Sequence, residues 1–299
     1  EAVIENNRLY GRGAADMKGG IAAMLGAVEA VVNSNANLHG SIVFTGVMDE
    51  ETTGMGTQAI MDRGIKADAA VIGEPTNLEV EIAHKGSLWL EITTRGKAVH
   101  ASTIKHGDPI RGVNAIAKMA RIIAELDKLL ITLEKTSHPL VGNATVSVGT
   151  ITGGTKTNIV ADSCSITVDR RLLPEDDWSK AYHQIDKLIQ KLKEEDPLLQ
   201  ADLRLIMRRE GAEISPEETI AKLALKAVGT VKGTNPNFTG CRATTDMSIL
   251  MKQGGIPTIL LGPGNLEQAH VADEYVKLPQ LTQAAKIYAH IICNLLNAQ

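Results

Sequence analysis

The segment GRGAADMKGG, residues 11–20, places one acid, Asp16, on a glycine-rich turn directly before an apolar helix. Glycine-rich turns at helix starts often hold phosphate groups. Here the central side chain is a carboxylate, which repels an anion, so the turn suits a metal ion better. Considered alone, Asp16 fits the ordinary role of a helix N-cap.

Three more polar groups occupy comparable places in the chain. Glu50 and Glu51 follow one predicted strand, Glu74 ends another, and His270 lies just beyond a third. In a mostly parallel α/β sheet, ligands bind at the carboxyl ends of the strands. Acids and an imidazole that converge there repel one another unless a cation compensates. Oxygen ligands with a single histidine fit Zn²⁺, Mn²⁺ or Co²⁺ better than a thiolate-rich structural zinc site.

The adjacent acids Glu50 and Glu51 indicate a division of labour. Neighbouring side chains in extended backbone point to opposite sides, so the two are not expected to bind one metal ion in the same way. One can bind metal while the other takes a proton from a metal-bound water. That arrangement is typical of metal-assisted hydrolysis with a carboxylate as the general base.

Each of these groups also has an ordinary structural interpretation. The sequence DEET can be a solvated turn, Glu74 a loop acid before a proline, and His270 a packed loop histidine. Their common placement at strand ends favours the metal hydrolase.

The elements that must position these groups show two kinds of hydrophobic pattern. Buried strands are predicted at residues 40–48, 67–75 and 255–264, and apolar helical spacing occurs around 17–32, 220–228 and 281–295. Between them lies an alternating, half-polar region with the order βαββαβ of a ferredoxin-like module. Its helices are predicted at 108–130 and 175–195. The sequence therefore predicts an α/β domain with a mostly parallel sheet, interrupted by an antiparallel module.

Composition sets broad limits on function. The 299 residues are 43% hydrophobic and 22% charged, which is typical of a globular protein with a sizeable core. A net charge of −4 gives no electrostatic reason to bind nucleic acid or an anionic membrane, and no apolar run spans a bilayer. The three cysteines are widely spaced, so we expect no disulfide framework and a cytoplasmic location.

Five motifs together resemble one known family. In order along the chain these are GRGAADMKGG, MDEETTGMGT, VIGEPT, GKAVHAS and LGPGNLEQAHVADEYV. The set is similar to the acetylornithine deacetylase, succinyl-diaminopimelate desuccinylase, aminoacylase and carboxypeptidase family of dinuclear zinc amidohydrolases. The resemblance covers essentially the whole chain. It implies two Zn²⁺ ions, with Co²⁺ or Mn²⁺ as substitutes.

The resemblance implies a role for each of the five groups. Asp16 would bridge the two metal ions. Glu50 would be the general base, and Glu51 would bind one metal ion together with His270. Glu74 would bind the other metal ion.

The resemblance also assigns the inserted module as a lid and dimerisation domain. We expect this domain at residues 85–210, and the catalytic domain at 1–84 and 211–299. His100 would stabilise the oxyanion in the partner subunit's active site of a homodimer.

Substrate-binding residues follow from the same resemblance. Asn158 and either Arg170 or Arg171 match positions that hold the substrate's carboxylate, for which a guanidinium is well shaped. Thr245 and Asp246 match a segment that leads into the substrate pocket, although Asp246 can equally cap the next helix.

One block of the family is absent. Relatives carry a histidine, followed two residues later by an aspartate, upstream of the glycine-rich turn. This sequence starts after the point where that block lies. We therefore expect either that the N-terminal part of the catalytic domain is missing or that one of the two metal sites is depleted.

The expected function is hydrolysis of the amide bond of an N-acyl amino acid. Three alternatives remain open: a carboxypeptidase or dipeptidase on the same scaffold, a catalytically impaired homologue acting as a dimeric binding protein, and a phosphate or nucleotide binder. The last is weakened because the turn lacks the Gly-Lys-Ser/Thr pattern of phosphate loops.

Overall fold

The computed structural model describes residues 2–297, which form two compact units. The discontinuous unit takes the described residues up to His84 and those from Ala212 onward. The inserted unit is Lys85–Gly211. Within the described residues, no helix has both the length and the apolar composition that crossing a membrane requires.

Residues 2–297 contain fourteen strands and seven α-helices, numbered in chain order. The strands are β1 (Val3–Glu5), β2 (Arg8–Tyr10), β3 (Ala70–Ile72), β4 (Val80–His84), β5 (Gly86–Arg95), β6 (Ser137–His138), β7 (Gly142–Asn143), β8 (Thr145–Gly153), β9 (Ser163–Leu172), β10 (Gln200–Arg209), β11 (Ala212–Glu213), β12 (Phe238–Cys241), β13 (Thr258–Leu260) and β14 (Tyr275–Lys277). The helices are α1 (Gly19–Asn33), α2 (Met55–Asp62), α3 (Ala115–Leu133), α4 (Trp178–Glu195), α5 (Thr219–Lys232), α6 (Met247–Gly254) and α7 (Leu278–Leu296).

The inserted unit is an antiparallel sheet covered by two helices. Its strands lie in the order β10-β5-β9-β8, and α3 and α4 pack against them. Alternate residues of β9, such as Ile166 and Val168, are buried in the core shared with α3 and α4. The chain order βαββαβ with this strand order is that of a ferredoxin-like module.

Helix α3 begins later than its sequence pattern predicts. Pro109 lies in a separate short turn, Pro109–Arg111, and Gly112 then has a φ of 99°. The helix starts after Asn114, whose side-chain oxygen accepts a hydrogen bond from the backbone N–H of Ala117 at 3.1 Å. The left-handed backbone at Gly112 ends one turn, and the Asn114 cap starts the next.

The five-stranded sheet of the discontinuous unit is mostly parallel in its residue pairs, as predicted, with short antiparallel pairings added. Its strands follow the order β11-β4-β13-β3, with β12 also paired to β4. The β13–β3 and β12–β4 pairings are parallel, whereas β13–β4 and β11–β4 are antiparallel. Helix α7 packs against both α1 and α5. The predicted helices at 17–32, 220–228 and 281–295 are thus present as α1, α5 and α7.

The prediction of a buried strand at residues 40–48 is wrong. This segment is extended but pairs with no strand among the described residues, and all nine residues are exposed. Val43 is 56% exposed and Met48 77%. A run of apolar residues becomes a buried strand only where neighbouring strands and helices cover it. Here it is an exposed apolar segment, a surface prone to association.

The glycine pair after Asp16 lets α1 approach the end of β3. A Cβ atom on Gly20 would lie 2.2 Å from the carbonyl oxygen of Gly73, directly before Glu74. The lack of a side chain at Gly20 therefore sets the distance between the turn that carries Asp16 and the strand end that carries Glu74.

We expect Gly20→Ala to lower the free energy of unfolding by about 2–3 kcal/mol, because the obstructing atom belongs to the backbone. Gly26→Ala on the same helix is the matched control, since nothing lies within 4 Å of its added Cβ. That variant should be neutral or more stable by about 0.5–1 kcal/mol. Urea denaturation of both variants measures the difference, and equal stabilities would contradict the close approach.

Candidate metal centre

Asp16 lies in a tight turn that a buried carboxylate holds in place. The turn covers Ala14–Lys18 and follows Gly13, whose φ is 76°. The carboxylate of Glu274 accepts hydrogen bonds from the backbone N–H groups of Gly13, Ala15 and Asp16, at 2.9, 2.9 and 3.1 Å. The turn therefore has the geometry of an anion cradle, and a carboxylate of the same chain fills it.

Glu50 and Glu51 lie in a turn before α2, so the extended backbone assumed from the sequence is wrong. Asp49 starts the turn with a φ of 68°, and its carboxylate accepts hydrogen bonds from the hydroxyls of Thr52 and Thr53. A non-glycine residue in left-handed backbone is uncommon and often marks a functional site. Both acids are presented from this turn to the same cavity.

Glu74 and His270 come from opposite ends of the discontinuous unit's sequence. Glu74 lies two residues after the end of β3 and is 8% exposed. His270 follows a short turn, Leu266–Gln268, beyond β13, and its φ is 61°. Like Asp49, His270 therefore holds a left-handed backbone that aims its side chain at the cavity.

Three side chains converge closely enough to hold one cation. The Nε2 atom of His270 lies 3.4 Å from Asp16 Oδ2 and 3.2 Å from Glu51 Oε2. One ligand atom from each of the three lies within 4.8 Å of the others. Two carboxylates and one imidazole suit a catalytic divalent cation such as Zn²⁺, since such sites use three protein ligands and leave a position open. The residues fit the metal.

The cluster opens into a cavity of about 90 Å³, room for a few water molecules. All five predicted chemical groups line it, and within the described residues His270 supplies its one imidazole. The lining residues are Asp16, Glu50, Glu51, Glu74, Pro75, Thr76, Glu81, Cys241, Ala243, Thr244, Thr245, Leu266 and His270.

The acids of this cavity destabilise one another when ionised. Burial, together with the nearby charges of Glu51 and Glu274, raises the pKa of Asp16, against the opposing effect of His270. Burial, with the charges of Glu50 and Asp16, raises the pKa of Glu74 well above its usual range. A bound cation would favour the ionised forms and relieve this repulsion.

Glu81 is a further acid in the cavity that the sequence patterns did not single out. Burial, and secondarily the charge of Glu79, raises the pKa of Glu81 to about 7, and a hydrogen bond with Cys241 opposes the rise. An acid whose pKa is raised on folding favours the folded state in its protonated form. The associated stability is therefore present at acidic pH and lost as the pH rises through about 7.

We expect Glu81→Gln to stabilise the metal-free chain at pH 8 by about 1–3 kcal/mol, the lower part of this range allowing for partial solvent screening. At pH 4.5, where the carboxyl is protonated, the variant should match the wild type. Glu267→Gln, an exposed acid that does not contribute to this pKa shift, is the control and should change little. Urea denaturation at the two pH values measures this, and a pH-independent difference would contradict it.

The structure separates the two predicted pocket residues of the segment before α6. Thr245 lines the cavity, and its hydroxyl accepts a hydrogen bond from the backbone N–H of Met247. Asp246 is 3% exposed and accepts a hydrogen bond from Thr57 Oγ1 at 2.6 Å. Asp246 therefore joins α2 to the segment before α6 and is not placed to contact substrate.

The structure also distinguishes the two arginines of β9. Arg170 is 3% exposed and donates to the carbonyl oxygens of Thr145 and Arg171, so it is not available to a substrate. Arg171 points to the opposite, half-exposed face, where its guanidinium lies 2.9 Å from Asp169. Side chains alternate between the two faces of a strand, and this alternation separates the two arginines. Arg171 therefore remains the candidate for binding the substrate's carboxylate.

His100 and Asn158 are brought together within the inserted unit. The backbone N–H of Ala101 donates to the carbonyl oxygen of Asn158 at 3.0 Å. His100 is exposed, and its Nδ1 lies 2.8 Å from the hydroxyl of Ser102. Both residues thus lie on one exposed loop pair of this unit.

Known proteins match this chain over nearly its whole length. The sequence profile described as Peptidase family M20/M25/M40 matches residues 1–294. An acetylornithine deacetylase of Pectobacterium carotovorum is 31% identical, over 96% of this chain and 72% of that protein. An N-formyl-4-amino-5-aminomethyl-2-methylpyrimidine deformylase of Halalkalibacterium halodurans is 28% identical, over 96% of this chain and 71% of that protein.

Solved structures share the fold. A tripeptidase from Staphylococcus aureus superposes with a TM-score of 0.81 at 23% identity, covering 100% of this chain and 77% of that one. A dinuclear metal binding peptidase of the M20 family from Bacillus subtilis superposes with a TM-score of 0.71 at 16% identity, covering 96% of this chain and 73% of that one.

The fold and the acidic centre define a metal-dependent hydrolase of the metallopeptidase type. The chain belongs to peptidase family M20/M25/M40. The resemblance stated from the five motifs is thus confirmed.

Proposed function

We propose that this chain hydrolyses the amide bond of N-acyl amino acids through a metal-activated water. The observation that carries the proposal is the convergence of Asp16, Glu51 and His270 beside Glu50 and Glu74 in one cavity. A divalent cation bound there would acidify a water molecule and polarise the substrate carbonyl. Asp16, Glu51 and His270 would hold this cation, and Glu74 together with Asp16 would hold a second one.

Glu50 is assigned as the general base. It lines the cavity beside the three clustered ligands without being one of them, which is the position that a general base needs. Glu50 takes the proton of the attacking water and delivers it to the nitrogen of the leaving amine. The neighbouring Glu51 holds the turn in place, because its Oε2 atom lies 3.2 Å from His270 Nε2. This contact keeps Glu50 directed at the cavity.

The inserted unit supplies the remaining groups in this proposal. His100, from the second subunit of a homodimer, stabilises the oxyanion of the tetrahedral intermediate. Asn158 and Arg171 hold the substrate's carboxylate, a task for which the planar guanidinium is suited. All three assignments follow the family resemblance, and they are supported by the exposure of His100 and Asn158 and the half-exposure of Arg171.

A substrate panel tests the proposal against a peptidase on the same fold. The peptidase alternative is supported by the structural likeness to a tripeptidase. The zinc-loaded chain would be assayed with N-acetylornithine, N-succinyl-diaminopimelate and unblocked dipeptides, each with and without chelator. We expect chelator-sensitive release of amine from an N-acyl amino acid. Cleavage of the dipeptides alone would show that the chain is a peptidase and not a deacylase.

A further inference from the structure

Glu274 occupies the cradle that a phosphate would fill in a phosphate-binding loop. One oxygen, Oε1, accepts from the N–H groups of Ala15 and Asp16, and the other, Oε2, accepts from that of Gly13. In addition, the N–H of Gly11 donates to the backbone carbonyl oxygen of Glu274 at 3.0 Å. Four hydrogen bonds from backbone N–H groups therefore join the glycine-rich turn to this one residue.

The Glu274 side chain is buried and charged. It is 3% exposed. Burial by itself raises the pKa of Glu274, but the hydrogen bonds from Gly13, Asp16 and Ala15 outweigh it and lower the pKa. Hydrogen bonds between backbone N–H groups and an ionised acceptor are among the stronger ones in proteins.

The ion pair with Arg12 does not account for this arrangement. Arg12 Nη1 lies 3.4 Å from Glu274 Oε2, and the Arg12 side chain is 70% exposed. Water screens a guanidinium that is this exposed, so the ion pair contributes little. The backbone donors, which are inside the turn, are the principal partners.

Glu274 links two segments that carry cluster residues. The last of its three backbone N–H donors belongs to Asp16. Glu274 in turn lies four residues after His270. Asp16 and His270 approach to 3.4 Å across this link. A three-stranded sheet of order β1-β2-β14 forms a second connection, since β14 pairs with β2 directly before the glycine-rich turn.

We propose that Glu274 is a positioning residue that fixes Asp16 relative to His270 and so prepares the cation site before the cation binds. The inference rests on the proposed function, because it gives the purpose of the link as cation binding. It also explains the glycine-rich turn: the turn resembles a phosphate loop since it binds an anion, and that anion is the chain's own carboxylate.

Glu274→Gln is the sharpest variant. A glutamine has one acceptor oxygen and one NH₂ group in place of two acceptor oxygens. Either the N–H groups of Ala15 and Asp16 or that of Gly13 must then face another donor. Glu267→Gln is the matched control, because Glu267 is an exposed acid on the same segment. Arg12→Ala separates the ion pair from the backbone bonds.

The experiment measures amide hydrogen exchange, zinc affinity and kinetics on the full chain. In metal-free Glu274→Gln we expect exchange at Gly13, Ala15 and Asp16 to become at least about 10-fold faster. We expect zinc affinity to fall about 10–100-fold, as for other groups that orient metal ligands. In the zinc-loaded variant kcat should fall while KM stays near that of the wild type. Both controls should stay within about twofold of the wild type in exchange and affinity.

Two results would overturn the proposal. One is unchanged zinc affinity in folded Glu274→Gln. The other needs no variant: exchange of the Ala15 and Asp16 amides in the metal-free wild type as fast as in an exposed loop. A wild type with protected amides that binds no zinc would instead refute the proposed function while leaving the link itself intact.

Discussion

Glu50→Gln should lower kcat of the zinc-loaded chain by about 10²–10⁴-fold, the usual contribution of a general base, while zinc stays bound. Glutamine keeps the shape of the side chain but cannot accept the proton of the attacking water. The three clustered ligands are untouched by this change, so metal content should be that of the wild type. The measurement combines steady-state kinetics with zinc analysis of the same sample.

Glu51→Gln is the natural counterpart, because it changes the adjacent acid in the same turn. Glu51 Oε2 lies 3.2 Å from His270 Nε2, within the proposed ligand set. This variant should lose zinc affinity, and its activity should return in part at high zinc concentration. A Glu50→Gln enzyme that retains normal rates, or loses zinc as Glu51→Gln does, would remove Glu50 as the base.

Asp16→Asn should separate folding stability from metal binding. In the metal-free chain Asp16 carries its charge beside Glu51 and Glu274 and in part out of water, which raises its pKa. A neutral amide removes that repulsion, so the metal-free variant should unfold at the same temperature as the wild type or higher. The variant should also lose the stabilisation by zinc, about 2.7 kcal/mol at 100 times the dissociation constant.

Thermal unfolding with and without zinc, at pH 8, measures both effects. The sign follows from the raised pKa: the ionised carboxylate is destabilising at pH 8, so its removal does not lower stability. The exposed acid Glu267 provides the control, since Glu267→Gln should keep the full response to zinc. Retention of that response in Asp16→Asn would contradict the assignment of Asp16 as a ligand.

Helical periodicity and strand-end acids were the most informative patterns in this sequence. Apolar spacing predicted α1, α5 and α7, because these helices bury one face against a partner. The acids and His270 were predicted to meet because they follow successive elements of one sheet, and they do line one cavity. Such patterns depend on short segments, so a single sequence reveals them.

Other features depend on contacts that the sequence does not display. The apolar run at 40–48 has the composition of a buried strand, yet no described strand pairs with it. Arg170 and Arg171 are chemically identical, and only the register of β9 shows which one is buried. Asp246 matches a predicted pocket position, and only the structure shows its hydrogen bond with Thr57, which is 189 positions away in the sequence.

Glu274, the proposed positioning residue, was not singled out by the sequence patterns. One signal was available: the glycine-rich turn has the form of an anion cradle, and the motif containing His270 carries a nearby acid. The distance of 258 residues between Asp16 and Glu274 hides the pairing from local patterns. The same long separation makes the link useful, because it joins the two ends of a discontinuous unit.

Zinc content per chain is the measurement that tests the central claim most directly. Wild type and His270→Ala would be loaded with Zn²⁺, freed of excess by gel filtration and analysed for metal. The account predicts about one tightly held Zn²⁺ in the wild type that is lost from His270→Ala, since a catalytic zinc site needs three protein ligands. Asp16 and Glu74 alone would hold the second ion too weakly to survive gel filtration. A wild type without zinc, or a His270→Ala chain with as much zinc as the wild type, would contradict it.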